Sequence, residues 1–435
     1  MVVLMIIHVV QSGETIYSIA ENYDVSAIRL MQENGIDSPD NLVPGQTIVI
    51  LYPEQTYIVK EGDTLLGIAE AHGVSVMQLL RNNPYLSNRE SIYPGETIVI
   101  SYQGEKIMTI SINGYAYPFI NRSILKETLP YLTYLTVFNY NITPTGELID
   151  IPDEEIIQIA KDFGVAPIML VTTLTEQGTF NSEIARNILQ NEDLQDHLID
   201  NILSVLKEKG YYGVNLDFQH ILPEDQYLFV DFITKAGTRL HEEGFHLIVT
   251  LTPVTLKTEN GLFYTDFDYA SIAQAADQIM LLSYQWGYFF GPPATTITPF
   301  NTVISNLEYS ITLIPPDKTN IGIPIIAYDW QLPYMENISR AYSLSYCSAI
   351  SLAAQTGSTI MYDETYQAAY FSYIEEGPSE KTEHIVWFKD ARSIDVLLSL
   401  IPQYGLKGIG VWNILCEFPQ MWLVINSQYD IAQVL

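Results

Sequence analysis

The first hundred residues carry one pattern of apolar and polar positions twice. His8-Val9-Val10-Gln11-Ser12-Gly13-Glu14-Thr15-Ile16 returns as Tyr57-Ile58-Val59-Lys60-Glu61-Gly62-Asp63-Thr64-Leu65. Gly13 and Gly62, Ala20 and Ala69, and Asn34 and Asn83 each lie 49 positions apart, whereas Pro44-Gly45 and Pro94-Gly95 lie 50 apart, so one residue was inserted late in the repeat. Each copy predicts strand, helix, helix, strand. An alternating strand runs into a Gly-Glu/Asp-Thr turn whose Thr is suited to cap the next helix. Helical spacing follows over Ile16–Ala20, and a second helix covers about Ala27–Glu33. A Pro-Gly-Gln/Glu-Thr turn then leads into Ile48-Val49-Ile50 or Ile98-Val99-Ile100. The repeat therefore predicts two small α+β modules, over 6–51 and 56–101.

Beyond the polar stretch Ser101–Glu105, strand-like and helix-like segments alternate, the pattern of an α/β fold. Strand candidates are Thr109–Ile120, Leu132–Asn141, Pro167–Thr173, Gly213–Gln219, His246–Thr252, Gln278–Tyr284, Asn320–Ala327 and Gly408–Asn413. Eight such units over residues 105–435 suit a (β/α)8 TIM barrel. The long interval between Ala327 and Gly408 holds further strand-like runs, Ile360-Met361-Tyr362 and Glu383–Phe388, and predicts a small α+β insertion at about 332–395.

The fourth strand, Gly213-Val214-Asn215-Leu216-Asp217-Phe218-Gln219, concentrates the chemistry. With a period of two, Val214, Leu216 and Phe218 face the outer helices, and Asn215, Asp217 and Gln219 face the barrel interior. Three inward polar groups cost stability unless they are paired, which marks a site rather than packing.

Composition narrows the function. Across 435 residues the formal net charge is −31, which removes the basic face that nucleic-acid binding requires and any polybasic membrane patch. No run approaches the ~18 apolar residues of a membrane span, so no membrane insertion is expected. The start, MVVLMIIHVV, has no basic n-region and no small-residue cleavage site after it, so no classical signal peptide is expected. Two cysteines, Cys347 and Cys416, define neither a disulfide framework nor a metal signature and are expected as buried free thiols. The seven histidines lack ligand spacing, with His220 expected on the outside of the barrel, and no phosphate-binding glycine loop appears. No metal and no cofactor is expected.

The repeated modules resemble the LysM module, on the Gly-Glu/Asp-Thr turns, the Ile-Ala helix pairs, the asparagine ending each second helix and the Pro-Gly-Gln/Glu-Thr-Ile closures. The resemblance implies binding of N-acetylglucosamine glycans such as peptidoglycan or chitin. It places Gly13, Glu14, Thr15 and Asn34 at one site and Gly62, Asp63, Thr64 and Asn83 at the other. Each of these residues is equally suited to building a turn or a helix cap.

The barrel resembles family 18 glycoside hydrolases, whose fourth strand ends D-G-x-D-x-D-x-E. Gly213 and Asp217 match, Asn215 is a tolerated variant, and the final Glu is replaced by Gln219. Leu282-Ser283-Tyr284-Gln285-Trp286-Gly287 looks like the family's M-x-Y-D/E, with Gln285 standing where an acid is preferred. Gly291-Pro292-Pro293 follows it, and Gly408-Ile409-Gly410-Val411-Trp412 looks like the final strand with its sugar-floor tryptophan. Two LysM modules ahead of this barrel resemble bacterial spore cortex-lytic N-acetylglucosaminidases. That implies a protein made in the mother-cell cytoplasm and associated with the spore or cell wall.

The resemblance also implies a retaining mechanism in which the sugar's acetamido carbonyl attacks the anomeric carbon. A Glu at position 219 would be the acid and then the base, Asp217 would hold the acetamido N–H, Tyr284 would donate to its carbonyl, and Trp412 would stack under the ring. Gln219 carries no transferable proton, and Asn215 and Gln285 are neutral too. Three readings stand: an engineered Glu→Gln change, a natural glycan-binding protein with an inactive barrel, or substitution by another acid, Asp329 or Asp363. Thirty tyrosines and five tryptophans supply rings for sugar stacking or for packing. Of these, Tyr328, with Asp329 and Trp330 at the seventh strand's end, and Trp387 in the insertion are candidate subsite walls.

Overall fold

The computed structural model describes residues 5–36, 38–39, 42–89, 91–174, 180–219, 221–252, 255–258, 261–264, 268–282, 300–335, 338–376 and 381–435. In the first module, β1 (Met5–Val9) pairs antiparallel with β2 (Thr47–Leu51) and carries α1 (Ile16–Asn22) and α2 (Ala27–Asn34). In the second, β3 (Pro53–Ile58) pairs antiparallel with β4 (Thr97–Tyr102) and carries α3 (Leu65–His72) and α4 (Val76–Asn82). The turns form as the sequence requires. Gly13 and Gly62 take φ values of 85° and 87°, open to glycine at no steric cost. The Thr15 hydroxyl caps α1 by accepting the Ser18 N–H, and Thr64 caps α3 by accepting the Gly67 N–H.

Behind the modules stands a closed barrel of eight parallel strands: β5 (Met108–Ala116), β6 (Tyr134–Asn141), β7 (Ala166–Thr172), β8 (Gly213–Asp217), β9 (His246–Leu251), β12 (Gln278–Leu281), β13 (Thr319–Pro324) and β19 (Gly408–Trp412). Pairing of β19 with β5 closes the ring. A hairpin of β10 (Thr255–Thr258) and β11 (Gly261–Tyr264) follows β9, and a short β20 (Tyr429–Ile431) adds to β5 from outside. The outer helices are α5 (Arg122–Thr128), α6 (Glu154–Asp162), α7 (Ser182–Leu189), α8 (Glu192–Lys209), α9 (Gln226–Glu242), α10 (Tyr269–Ala275) and α11 (Phe300–Ser310). They are joined by α13 (Ala391–Tyr404) and α14 (Pro419–Gln428). The main core fills the space between strands and helices, and a smaller cluster fills the lumen. Gly408 opens the closing strand because a Cβ there would stand 1.8 Å from the Ser111 carbonyl oxygen.

Between β13 and α13 lies a five-stranded antiparallel sheet of β14 (Ala327–Leu332), β15 (Tyr342–Leu344), β16 (Met361–Asp363), β17 (Ala368–Glu376) and β18 (Lys381–Phe388). It is backed by α12 (Tyr346–Thr356). Both small modules dock on the barrel's last helix. Gln420 of α14 donates to the Thr47 carbonyl and accepts from the Thr47 hydroxyl, and the Asn426 amide of α14 donates to the Asn82 side chain. This docking explains why Ile48-Val49-Ile50-Leu51 is a continuous apolar run. Ile48 and Ile50 face the module's own core, while Val49 and Leu51 enter the barrel's core, so both faces of β2 are buried.

The thiols depart from expectation. Cys347 and Cys416 are not joined in a disulfide and are exposed, because Cys347 falls on the solvent side of α12 and Cys416 on the connection after β19. Among the described residues no helix is long and apolar enough to cross a membrane.

Candidate active site at the barrel mouth

The alternation of β8 holds in three dimensions. Val214, Leu216 and Phe218 join the core beneath the helices, with Phe218 stacked on Phe229 and Phe232 of α9 at 5.9 and 5.6 Å. Asn215 points into the lumen. Its amide donates to the Tyr115 hydroxyl of β5 at 2.8 Å, and its carbonyl accepts from the Thr250 hydroxyl of β9 at 2.8 Å. Because β5 and β8 are not neighbours in the ring, the first of these bonds spans the interior.

One residue pair further up, at the C-terminal end where such barrels carry their chemistry, lie Asp217 and Gln219. Both are buried. The Gln219 amide donates to Asp217 Oδ2 at 3.2 Å, while Asp217 Oδ1 and Gln219 Oε1 have no hydrogen-bond partner among the described residues. Burial pushes the Asp217 carboxyl up to about 7, against a smaller lowering by the Gln219 hydrogen bond. Burial, and then the charge of Asp217, push the Tyr115 phenol up in turn. Two buried oxygens without partners form a polar recess that a ligand bearing N–H or O–H donors would satisfy.

Trp412, half-buried at the end of β19, stands at the same C-terminal mouth of the parallel barrel. Its ring centroid lies 5.7 Å from that of Tyr115 and 4.9 Å from that of Phe138 at the end of β6. Tyr117 lies 4.6 Å from Phe138 and stacks on Phe119 at 5.1 Å, and Phe119 is 75% exposed. A ladder of rings thus leads from the recess to solvent. Beside it, the Asn139 amide donates to the Thr172 hydroxyl at 2.8 Å and also bonds Asn141. Tyr115, Tyr117, Phe119 and Phe138 are absent from the sequence-derived site. The polar residues of β8 announced themselves by interrupting an apolar strand, but aromatics at the ends of β5 and β6 look like core. The available signal was Gly114-Tyr115-Ala116-Tyr117, whose tyrosines share one face.

The remaining expectations divide. Tyr284 and Gln285, together with Ser283, Trp286, Gly287, Gly291-Pro292-Pro293 and His220, lie outside the described residues. Tyr328 and Trp387 are cross-strand partners and only 4% exposed. Trp387 stacks on Tyr370 at 4.6 Å, and with Trp330 the two residues form the insertion's own apolar cluster, so they serve as packing. Asp329 turns to the opposite face of β14, where its two oxygens are held by the Tyr373 hydroxyl at 2.7 Å and His384 Nδ1 at 2.9 Å. Asp363 accepts the Thr365 and Tyr366 N–H groups and builds a turn. Neither carboxyl is hydrogen-bonded to Asp217 or Gln219.

In the LysM modules, Gly13 and Gly62 are exposed. Glu14 accepts the Gln11 N–H at 2.7 Å and pairs with His8, and Asp63 accepts the Lys60 N–H at 2.7 Å and the Tyr57 hydroxyl. Asn34 and Asn83 do not join these turns. Each is buried with its amide donating to two backbone carbonyls and its oxygen accepting a β2 or β4 N–H. A side chain saturated by its own backbone has nothing left for a sugar, and these two staple helix to strand.

Residues 178–415 match the glycosyl hydrolases family 18, and residues 8–51 and 57–101 match the LysM domain. The chain is 34% identical to the cortical fragment-lytic enzyme of Bacillus subtilis (strain 168), over 99% of each chain, and 33% identical to that of Bacillus anthracis, over 98% of each. Among solved structures it superposes on the spore cortex-lytic enzyme SleL of Bacillus megaterium QM B1551 with a TM-score of 0.80, at 32% identity and 99% coverage of both chains. The SleL structure of Bacillus cereus gives 0.80 at 30% identity, again over 99% of both.

Proposed function

This chain belongs to glycosyl hydrolases family 18 and carries two LysM domains, and from that premise we propose that it binds the N-acetylglucosamine glycan of peptidoglycan, in the spore cortex, and turns it over little or not at all as its sequence stands. The observation that carries the reading lies at the end of β8, where Asp217 Oδ1 and Gln219 Oε1 are buried without partners among the described residues. A sugar ring set on Trp412 has its apolar face covered, and an acetamido N–H supplies the donor that the Asp217 oxygen lacks. The names of the relatives, cortical fragment-lytic and spore cortex-lytic, support cortex peptidoglycan over chitin as the polymer.

In the retaining, acetamido-assisted route, the acetamido oxygen attacks the anomeric carbon and the glycosidic oxygen leaves with a proton. Asp217 orients the acetamido group and, when ionised, offsets the positive charge of the oxazolinium ring. Tyr284 belongs to the same proposal as the donor to the acetamido carbonyl, and Gln285 as a sugar contact. The leaving oxygen finds only the Gln219 amide, which donates a hydrogen bond and transfers no proton. Asn215, held by Tyr115 and Thr250, occupies the inward position one step below Asp217 on the strand. The resulting protein is glycan-binding, with an inactive or nearly inactive barrel.

Titration with N-acetylglucosamine oligomers, followed by tryptophan fluorescence and by reducing-end release, tests this. A saturable change in tryptophan fluorescence that Trp412→Ala abolishes, with no reducing ends formed, is the expected result. Sustained release of product by the chain as written would overturn the role given to Gln219.

A further inference from the structure

The two LysM copies are equivalent in sequence and unequal in their surroundings. In each, the two turns are locked side by side. Gly45 N–H donates to the Val10 carbonyl and Val10 N–H to the Gln46 carbonyl, and in the second copy Gly95 and Val59 repeat the exchange with Val59 and Glu96. In the first copy the Pro44-Gly45 turn is covered by the rest of the molecule, while Gly13 stays as open as Gly62. Ile360 N–H donates to the Pro44 carbonyl at 2.8 Å, and a Cβ on Gly45 would stand 1.8 Å from the Ile360 carbonyl oxygen. At the exit of α2, Gly35 packs on Pro419, whose Cγ would lie 2.7 Å from an added Cβ. Gln420, fully buried, ties Thr47 to the barrel, and the Tyr346 hydroxyl of the insertion donates to the same Gln420 oxygen. The first copy thus joins three bodies: itself, the insertion and α14.

In the second copy the corresponding Pro94-Gly95 turn is open. Gly62 and Gly95 have no atom within 4 Å of an added Cβ. Tyr93, before the Pro-Gly turn, is 60% exposed, whereas its counterpart Val43 is 2% exposed. The turn is held stiff from within, since Glu96 accepts the Tyr93 N–H at 3.0 Å and pairs with Arg89 at 2.6 Å. This copy docks through a different side, by Arg81 and Asn82 of α4 against Pro130, Tyr131 and Asn426. An exposed phenol on a stiff turn, beside two open turns, suits the apolar face and hydroxyl rim of a sugar, and the fixed backbone lowers the ordering cost of binding.

We infer that the copies divide the labour: the second, through Tyr93 and the turn at Gly62–Asp63, holds the N-acetylglucosamine glycan, and the first is a clamp fixing the insertion to the barrel. The inference rests on the glycan reading above.

The test is sedimentation of the full chain with insoluble peptidoglycan, in a Trp412→Ala background so that the barrel recess does not contribute. Adding Tyr93→Ala is expected to weaken binding at least tenfold with an unchanged melting temperature. Adding Gln420→Ala is expected to lower the melting temperature and leave binding within twofold. Adding Tyr17→Ala, on the exposed face of the first copy, is expected to leave both unchanged. Unaltered binding in the Tyr93→Ala chain, or an equal loss in the Tyr17→Ala chain, overturns the division of labour while the glycan reading stands. If the Trp412→Ala chain alone fails to sediment with the polymer, LysM glycan binding itself fails and takes this inference with it.

Discussion

Asn83 and Gln219 are both buried amides, 2% and 7% exposed, and their surroundings have little else in common. Asn83 spends every hydrogen-bonding group on backbone: two carbonyls, of Leu79 and Val99, take its N–H groups, and the Val99 N–H takes up its oxygen. Gln219 has one bond, to Asp217, and an oxygen left over. Since a buried polar atom without a partner costs free energy, the first arrangement explains itself as structure. The second makes sense as a place awaiting a ligand. Chemical type and burial do not tell these two amides apart, whereas their hydrogen bonds do.

The largest expected effect sharpens the functional side of that contrast. Gln219→Glu changes one group and almost no volume, and it sets a new carboxyl against Asp217. Like charges at that separation hold a proton between them at neutral pH, which is what an acid for the leaving oxygen requires. General acid catalysis is worth roughly 10²–10⁴-fold, so release of reducing ends from cortex peptidoglycan is expected to rise by about that range. A Gln219→Glu chain that binds glycan and stays inactive would show that the recess lacks more than its acid.

On the structural side, Asn83→Ala leaves two carbonyls and an N–H unpaired inside the second LysM module. Removing one partner of a buried hydrogen bond costs about 1–3 kcal/mol, and chemical denaturation is expected to show a loss in that range. Gln219→Ala leaves one acceptor unpaired, Asp217 Oδ2, against three groups for Asn83→Ala, and is expected to cost less, about 1 kcal/mol, at the low end of that range. Equal costs for the two would erase the distinction between staple and site.

A further effect is one of pH. Burial raises the Asp217 carboxyl from the ordinary 3.8 to about 7 in the folded chain. Between those values the unfolded chain has lost a proton that the folded chain keeps, so stability falls as pH rises through this window and levels off above it. Asp217→Asn abolishes that slope. Thermal melts at pH 5 and pH 8 are expected to show the variant gaining on the parent chain at the higher pH, and a difference that does not change with pH would mean that Asp217 is ionised throughout.

Local order was legible in the sequence because it rests on short-range rules. Period-two alternation put Asn215, Asp217 and Gln219 on the inner face of β8, glycines and capping threonines marked the turns, and the 49-residue offset exposed the repeat. What only the tertiary structure decided depends on residues distant in the chain. Tyr115 meets Asn215 across a lumen that closes only when β19 finds β5. Tyr328 and Trp387 became packing because the register of β14 on β18 set them face to face. Asn34 became a staple because β2 offered its Val49 backbone, and the two LysM copies parted company because Ile360 and Gln420, more than three hundred residues further on, cover one closing turn and not the other. Periodicity records which face of an element is apolar, but the identity of its partner follows from how the whole chain packs, and that partner decides whether a buried polar group is satisfied.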